Sequence, residues 1–483
     1  MKKNLLTLPL ALATTLGLLA GCGGGEQEGG TIDVWVGLES AEFYKTVAAD
    51  FKAANPDFKY DIKITGSDSG TNGGAMVQDN TACGDIVTIA HDNIGKLSQL
   101  SYIQPITDEG LLAQIEEDNP DSFKTVIKNT LGTSSDVYTF AVPYISQALF
   151  LYYDTRVFTA PEDVATFERM AEVAKAKNMK SYTITGTDGF NLSFPILARK
   201  LPGNTTELRL YENAQKYETY FQANEQIAVS RWTQSSFADP NGGMMPTDSG
   251  WAVDVKNGKV GAVIGGAWKY NEFKSAVTDD NGVAHIGCAL IPTFKLTAAN
   301  VEGINEIPAE ASLTGKVDPA PVAGTEFRGG TFADCKCFVM NMAAEPAKYA
   351  SLVKLVKYFS SKEVQQKSFL SALNVPAYKG AADYIESVKN QVEESAYLMA
   401  KAQTGMAEYG IPQPFVNGTL NTFYYQDSAP DYLKEAYINE KGNFSSVDAM
   451  RELHFKVEYV WKHGSLPASY PGTYPHDTTE RIK

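Results

Sequence analysis

A polar triplet that could do chemistry follows an apolar segment near the start of the chain. His91, Asp92 and Asn93 come directly after the strand-like run "DIVTIA" at residues 85–90. A histidine and a carboxylate can form a catalytic pair, ligate a metal, or simply hold a ligand by hydrogen bonds. Adjacent residues of an extended segment point to opposite sides, so the dipeptide alone does not decide among these. The triplet predicts a functional site at the end of this strand. Which of the three roles it has depends on the side chains that other segments contribute to the same site.

A second strand end carries a tryptophan. Residues 255–273 read "VKNGKVGAVIGGAWKYNEF", in which an Asn-Gly-Lys turn leads into an apolar strand, a glycine pair and Trp268. The glycines allow a sharp bend that leaves the indole at the edge of the sheet. A lone tryptophan is more often a core or domain-interface residue, and that alternative stays open. Trp251, at the start of a helix before this motif, is predicted to be core.

The elements that must position these residues alternate between strand and helix. The run "TIDVWV" at 31–36 is typical of a strand, and Phe43, Val47 and Phe51 then share one face of a helix that Pro56 ends. Two further strands follow, and the same alternation starts again after residue 160. This order predicts open α/β sheets flanked by helices.

Composition excludes several classes of protein. The chain has 483 residues, a net charge of −15 and 43% hydrophobic residues. An acidic surface argues against nucleic acid and anionic lipid as partners. The chain is too long for one core, so two lobes of roughly 200 residues each are expected. Five histidines, and the lack of G-x-S-x-G, H-E-x-x-H and P-loop patterns, leave little basis for catalysis, and no cofactor is predicted.

The N-terminus reads as an export signal. Lys2 and Lys3 precede an apolar stretch that is too short for an ordinary membrane span, although an N-terminal membrane anchor is the alternative. "LAGC" at 19–22 then looks like a bacterial lipoprotein signal, with cleavage before Cys22 and a palmitate-containing lipid on its sulfur. The glycine-rich stretch that follows predicts a flexible tether. These features predict an extracytoplasmic mature protein that is lipid-anchored to the outer face of the bacterial cytoplasmic membrane.

Four further cysteines are Cys83, Cys288, Cys335 and Cys337. They allow three disulfide connectivities, and either disulfides or buried thiols are favoured over a metal site because no CxxC pair is present. Cys335 and Cys337 lie two apart on a predicted strand, hence on one face, and we expect them to be poorly placed to bridge each other.

Four stretches together resemble one family. "DIVTIAHDNIG", "FAVPYISQALFLYYDTRVF", "NGKVGAVIGGAW" and "GCALIPTF" occur in the same order in the solute-binding proteins of sugar ABC transporters, specifically those similar to the maltose/maltodextrin-binding protein. The resemblance spans roughly residues 31 to 430. It implies a periplasmic-binding-protein-like (type II) fold, with two α/β lobes, crossing hinge strands and a ligand in the cleft between the lobes. Strand ends that face this crevice should carry the binding groups.

The resemblance also implies domain boundaries. Residues 1–21 are expected to be the signal and 22–30 the lipidated cysteine and tether. The N-lobe would comprise 31–145 with 335–378, and the C-lobe 146–334. Insertions or peripheral loops are expected near 202–245 and 296–330, where Gly, Pro, Asn and Thr are frequent. Residues 379–483 would form C-terminal helices of the C-lobe.

The resemblance also implies site residues, and at some of these positions the chain differs from the family. Asp92 matches an aspartate that accepts bonds from sugar hydroxyls, Trp268 matches a stacking tryptophan, and Glu39 with Ser40 matches a polar helix start. Gln147 stands where maltodextrin binders usually carry Glu, and Asn93 replaces an Arg. The remaining candidates lie near the family's other aromatics: Phe190, Asn191, Phe423 and Tyr424. His91 is expected to turn away and pack structurally.

The resulting hypothesis is a monomeric, lipid-anchored binding protein that captures an oligosaccharide by hinge closure and presents it to permease subunits. Three alternatives remain open: a same-fold protein for a non-sugar solute such as a polyamine, peptide or iron complex, a glycoside hydrolase that uses two cleft carboxylates, and an adhesive surface lipoprotein. The identity, length and linkage of the sugar are not predicted.

Overall fold

A computed structural model describes residues 29–202, 223–246, 250–311, 317–408, 410–411, 413, 429–438 and 453. Cys22, Phe423 and Tyr424 lie outside the described residues. The strands are β1 Thr31–Gly37, β2 Asp61–Ser67, β3 Ile86–Ala90, β4 Lys128–Thr130, β5 Val137–Thr139, β6 Ala141–Gln147, β7 Phe150–Asp154, β8 Tyr182–Ile184, β9 Arg199–Leu201, β10 Gly243–Met244, β11 Ala262–Gly265, β12 Ile286–Ala289, β13 Thr293–Lys295, β14 Glu326–Arg328 and β15 Asp334–Met340.

Helices alternate with these strands. They are α1 Ala41–Ala54, α2 Asn72–Asp79, α3 Ile94–Gln99, α4 Glu109–Asp118, α5 Asp121–Val126, α6 Phe167–Lys175, α7 Ala223–Ala238, α8 Trp251–Lys256, α9 Tyr270–Ala276, α10 Ala298–Val301, α11 Tyr349–Phe359, α12 Lys362–Ala372, α13 Ala381–Ser387, α14 Glu394–Ala407 and α15 Ala429–Ile438. Short 3-10 turns include three that follow strands near the site: Leu38–Ser40, His91–Asn93 and Ala267–Lys269.

The first sheet has the strand order β2-β1-β3-β15-β6. Strands β1, β2 and β3 run parallel, and β15 is antiparallel to both β3 and β6. Every residue of β3 is buried because helices cover both faces of this sheet, which explains its continuous apolar run. The core of this lobe draws on the segments from Ile32 to Ile145 and from Cys335 to Val364.

The second sheet has the strand order β10-β8-β11-β7-β12. Strand β11 pairs parallel with β8 and antiparallel with β7, and a smaller sheet, β13-β14-β9, packs beside it. The second core includes Ala148 to Phe332 and continues into helices α13, α14 and α15. The predicted two-lobed α/β architecture is therefore confirmed.

Parts of both segments that we expected to be insertions or peripheral loops, near 202–245 and 296–330, form buried helix or strand. Helix α7 lies within the first, and Ile227, Val229 and Trp232 on it are at least nine-tenths buried. This helix is buried on several faces, so its sequence lacks the one-sided apolar period that marks a surface helix. Strand β14 lies within the second segment and buries Phe327 completely.

The chain passes between the lobes three times: from β6 to β7, from β14 to β15, and from α12 to α13. Hydrogen bonds join these crossings. The amide of Ser146 donates to the carbonyl of Val375 at 2.8 Å, and the amide of Leu149 donates to Thr331 Oγ1 at 2.8 Å. The crossings therefore form one connected strip at the base of the cleft.

Candidate functional site

A cleft of about 600 Å³ lies where the two lobes meet. Both lobes supply its walls, mostly from the segments that follow strands. Its lining residues are Glu39, Asp68, Ser69, Gly70, Ala90, Asp92, Ile145, Ser146, Gln147, Asp188, Phe190, Asn191, Ala267, Trp268, Tyr270, Asn271, Asp334, Lys336, Ala372, Leu373, Asn374, Val375 and Gln413. A cavity of this size fits a small ligand that the two lobes enclose.

Trp268 and Phe190 form the aromatic part of the C-lobe wall. Trp268 is 45% exposed, which is unusual for so large an apolar ring. Its centroid lies 5.8 Å from that of Phe190, with 52° between the planes, and Phe190 stacks in turn on the buried Phe332. By contrast Trp251 is 1% exposed, so its predicted core position is confirmed.

The position of the Trp268 ring depends on Gly266. The buried strand β11 ends just before this glycine, and Trp268 lies in the 3-10 turn that follows. A Cβ atom on residue 266 would lie 2.0 Å from Cζ3 of Trp268, so any side chain there would displace the indole. The glycine pair that the sequence places before the tryptophan is thus a steric requirement of the cleft.

Asp188 fixes the loop that carries Phe190 and Asn191. Its Oδ1 accepts bonds from the amides of both residues at 2.9 Å, and its Oδ2 accepts from Asn191 Nδ2 at 2.7 Å. Asn191 Oδ1 accepts in turn from Thr185 Oγ1 at 2.8 Å. The Asn191 amide is therefore committed to the protein. We did not predict Asp188 from the sequence, although an aspartate in "GTDGFN" is typical of a side-chain-stabilised turn.

The N-lobe wall is polar. Asp92 lies in the 3-10 turn after β3, is partly exposed and lines the cleft. Asn93, its predicted neighbour in the site, is outside the lining and donates from Nδ2 to Asp92 Oδ1 at 3.1 Å and to the carbonyl of Ala90 at 3.3 Å. Asn93 also lies against Gly73 of α2. Its place is therefore behind Asp92, where it holds the carboxylate.

The first helix start contributes one of its two predicted residues. Glu39 is exposed and lines the cleft. Ser40 is completely buried and accepts a bond at Oγ from Asn374 Nδ2 at 2.9 Å. Asn374 itself lines the cleft and donates from the same amide to Ser368 Oγ. Ser40 is therefore outside the cleft lining, and it supports Asn374, which is in the lining.

Strand β15 adds two lining residues that we did not predict. Asp334 pairs in register with Gln147 at the end of β6, and both lie in the cleft wall. Two residues further along the same face, Lys336 also lines the cleft, with its Nζ 4.0 Å from Asp334 Oδ2. No local pattern marks either residue, because the register between strands distant in sequence places them there.

His91 faces away from Asp92, as expected. The imidazole is completely buried, and its Nδ1 lies 2.6 Å from Asp334 Oδ1. Burial is the largest single influence on the pKa of His91 and would lower it, but the bond to the Asp334 carboxylate and the further interactions with Asp334 and Cys335 together outweigh burial and raise the pKa to about 10. A charged His91 at neutral pH therefore balances Asp334 beneath the cleft. His91 thus lies in the protein interior, whereas its neighbour Asp92 lines the cleft.

Cys335 and Cys337, which we expected to be poorly placed to bridge each other, have their sulfur atoms 3.5 Å apart. Both are free thiols, as are Cys83 and Cys288. Within the described residues no group of three or more His, Cys, Asp or Glu side chains is placed to hold a metal ion.

Residues 46–429 match the family model described as bacterial extracellular solute-binding protein. This chain belongs to that family. No curated protein sequence matches it.

Solved structures of low sequence identity share the fold of this solute-binding protein. The ligand-free maltodextrin-binding protein MalE1 of L. casei BL23 has 19% identity and a TM-score of 0.64, over 89% of this chain and 99% of its own. MalX of Streptococcus pneumoniae, in complex with maltopentaose, has 17% identity and a TM-score of 0.63, over 89% and 100%. MalE of Listeria monocytogenes, in complex with maltose, has 17% identity and a TM-score of 0.62, over 90% of this chain and 98% of its own.

The cleft of this solute-binding protein brings together most of the predicted site residues that the structure describes. They are Glu39, Asp92, Gln147, Phe190, Asn191 and Trp268. Ser40 and Asn93 support the lining from behind, and Phe423 and Tyr424 are outside the described residues. Among the helices that the structure describes, none combines the length and the apolar character needed to cross a membrane.

Proposed function

We propose that this solute-binding protein captures an oligosaccharide between its lobes and presents it, as a monomer, to the permease subunits of an ABC importer. The observation that carries the proposal is the aromatic platform formed by the exposed Trp268 and the partly buried Phe190, in a cleft that carboxylates also line. A pyranose has an apolar C–H face that lies on an aromatic ring and a rim of hydroxyls that bond to carboxylates and amides. The complexes of MalX with maltopentaose and of MalE with maltose support this ligand class.

Capture proceeds by hinge closure about the strip of crossing segments. Gln403, which is completely buried, donates from Nε2 to the carbonyl of Ser146 at 2.6 Å and accepts at Oε1 from the amide of Ala267 at 3.2 Å. One side chain thus joins a crossing segment to the turn that carries Trp268. Rotation about the crossings then carries the aromatic platform toward the carboxylates of the N-lobe. A saturating oligosaccharide should reduce the radius of gyration in small-angle scattering, and an unchanged radius despite proven binding would contradict closure.

Binding in this cleft is not followed by chemistry. The members of this family are solute-binding proteins, and among the described residues His91, which contacts the cleft carboxylate Asp334, is used in a buried pair with it. The proposed anchor is a lipid on Cys22 in "LAGC", which precedes the described residues. A Cys22→Ala variant should leave the membrane fraction or remain unprocessed. Normal processing with membrane retention would contradict the anchor and leave the binding function intact.

Calorimetry tests the proposed function directly. A glycan array would first select the best-bound oligosaccharide, and titration of the purified protein with it should give saturable binding at one site. The same titration with Trp268→Ala should give weaker binding. If no glycan binds, or if the best ligand binds equally well without the Trp268 ring, the proposed function is wrong.

A further inference from the structure

The charges that line the cleft are strongly unequal. Five carboxylates face it, from Glu39, Asp68, Asp92, Asp188 and Asp334. Among the described residues, Lys336 is the one cationic side chain in the lining. Its Nζ is nearest to Asp334, whose other oxygen contacts His91. Within the part of the chain that the structure describes, the positive charges next to the cleft thus lie at Asp334, and Glu39, Asp68 and Asp188 lie apart from them.

These three carboxylates form no ion pair with any described residue. Asp68 and Glu39 are exposed on the N-lobe wall, where Asp68 Oδ1 accepts a bond from the amide of Gly70. Asp188 accepts only neutral N–H donors. A neutral donor does not cancel the charge of a carboxylate, and enclosure by low-dielectric lobes strengthens the field of the remaining charges.

Donor and acceptor groups are unequal as well. Carboxylates are acceptors only, whereas several of the cleft's own donors already serve the protein. The Asn191 amide donates to Asp188, the Asn374 amide donates to Ser40 and Ser368, and Tyr270 Oη lies 2.6 Å from Ser395 Oγ. The ligand must therefore supply hydrogen-bond donors, and an ammonium group supplies three together with a positive charge.

The aromatic platform restricts the kind of cation. The exposed ring of Trp268 can lie against the C–H face of a sugar, and the same ring face attracts a nearby cation. We propose that the ligand of this cleft is an oligosaccharide that carries at least one protonated amino group, that is, an amino-sugar oligosaccharide. This inference rests on the proposed function and specifies its ligand class.

Three tetrasaccharides of similar size test the inference by calorimetry on the purified protein at about pH 6. They are the β-1,4 tetramer of glucosamine, its fully N-acetylated counterpart and maltotetraose. The glucosamine tetramer should bind at least tenfold more tightly than either neutral tetramer, and added salt should weaken only its binding, because salt screens charge–charge attraction.

Charge-neutralising variants locate the effect. The double variant Glu39→Gln with Asp68→Asn should reduce the ratio of the affinity for the glucosamine tetramer to the affinity for the neutral tetramers about tenfold. Asp57→Asn is the matched control. This exposed aspartate follows the C-terminal end of α1, roughly 20 Å along the helix from the cleft. The control should leave the preference unchanged.

The outcomes separate the inference from the function on which it rests. If a neutral tetramer binds as tightly as the glucosamine tetramer, the ligand class is wrong and the oligosaccharide function stands. If no tetramer binds but a linear polyamine does, the oligosaccharide function is wrong. If none of these probes binds, both are wrong. An equal loss of preference in the Asp57→Asn control would show that net charge, and not the cleft, attracts the ligand.

Discussion

The two walls of the cleft are built on different physical principles. The C-lobe wall presents an aromatic platform whose position depends on packing: Gly266 leaves space for Trp268, and Phe190 rests on Phe332. The N-lobe wall presents carboxylates whose positions depend on hydrogen bonds and buried charge: Asn93 holds Asp92, and His91 balances Asp334. An apolar platform gains free energy when water leaves it, whereas a carboxylate gives orientation and charge selectivity. Neither wall encloses a ligand alone, so closure of the lobes is needed to bring the aromatic platform and the carboxylates onto the same ligand.

The largest expected effect separates the aromatic wall from the core beneath it. Trp268→Ala should lower ligand affinity roughly 10- to 1,000-fold, since a stacking contact worth a few kcal/mol is lost and each 1.4 kcal/mol is tenfold. Because Trp268 is 45% exposed, the free energy of unfolding of the variant should fall far less than the ~3–5 kcal/mol expected when a core tryptophan is truncated. Calorimetry measures the affinity, and denaturant unfolding measures the stability.

Trp251→Ala is the matched control, because the same residue type is 1% exposed there. It should lose about 3–5 kcal/mol of stability and keep its affinity as long as it stays folded. If Trp268→Ala binds normally and unfolds easily, the ring belongs to the core and the aromatic wall does not exist as described.

The next effect tests the buried charge beneath the polar wall. Asp334→Asn should cost about 3 kcal/mol of stability at pH 6, because it leaves a buried imidazole without its carboxylate. The pKa of His91 lies near 6.5 when unfolded and about 10 in the fold, so the folded state binds the proton more tightly. The pair's contribution is therefore complete below pH 6.5 and is lost as the pH rises through 10.

Urea unfolding of both proteins across this pH window measures the contribution. The stability difference between wild type and Asp334→Asn should shrink steadily from pH 6 to pH 10. A difference that stays constant over this range would mean that His91 is neutral in the fold. Asp57→Asn, which removes an exposed carboxylate, should show no such trend.

A smaller effect is expected from the polar wall itself. Asp92→Asn keeps the shape of the side chain and removes its charge, so affinity should fall about tenfold, since bonds to charged acceptors are roughly twice as strong as neutral ones. The melting temperature should change little because Asp92 is partly exposed. An unchanged affinity, measured by calorimetry, would remove Asp92 from the site.

The smallest effect concerns the connection between the walls. Gln403→Leu removes the bonds to Ser146 and Ala267 and keeps a buried side chain of similar size. Affinity should fall only a few-fold, since the turn that carries Trp268 loses one support while the ring itself remains. Gln366→Leu, on α12, is the control because its bond to Tyr378 lies outside the cleft lining. Equal affinities for both variants would show that Gln403 does not transmit closure.

Local sequence determined much of this protein. The alternation of apolar strands with one-sided helices predicted open α/β sheets, because the periods of strand and helix are local properties of the chain. The glycine pair before Trp268 predicted a bend that leaves the ring at the edge of the sheet, and the resemblance to the family then favoured a cleft position over a core position for that ring. The apolar run before Asp92 likewise predicted a polar group at the end of a buried strand.

Only the tertiary structure decided what these strand ends meet. Asp334 lies 243 residues from His91 in sequence, and no local pattern indicates that β15 returns to the first sheet between β3 and β6. That return places Asp334 beside Gln147 and adds Lys336 to the lining. Burial by the surrounding elements also explains why the sequence of α7 resembled a loop, since a helix buried on several sides has no one-sided apolar period. Strand order and register depend on free energies summed over whole lobes, and a window of a few residues does not contain them.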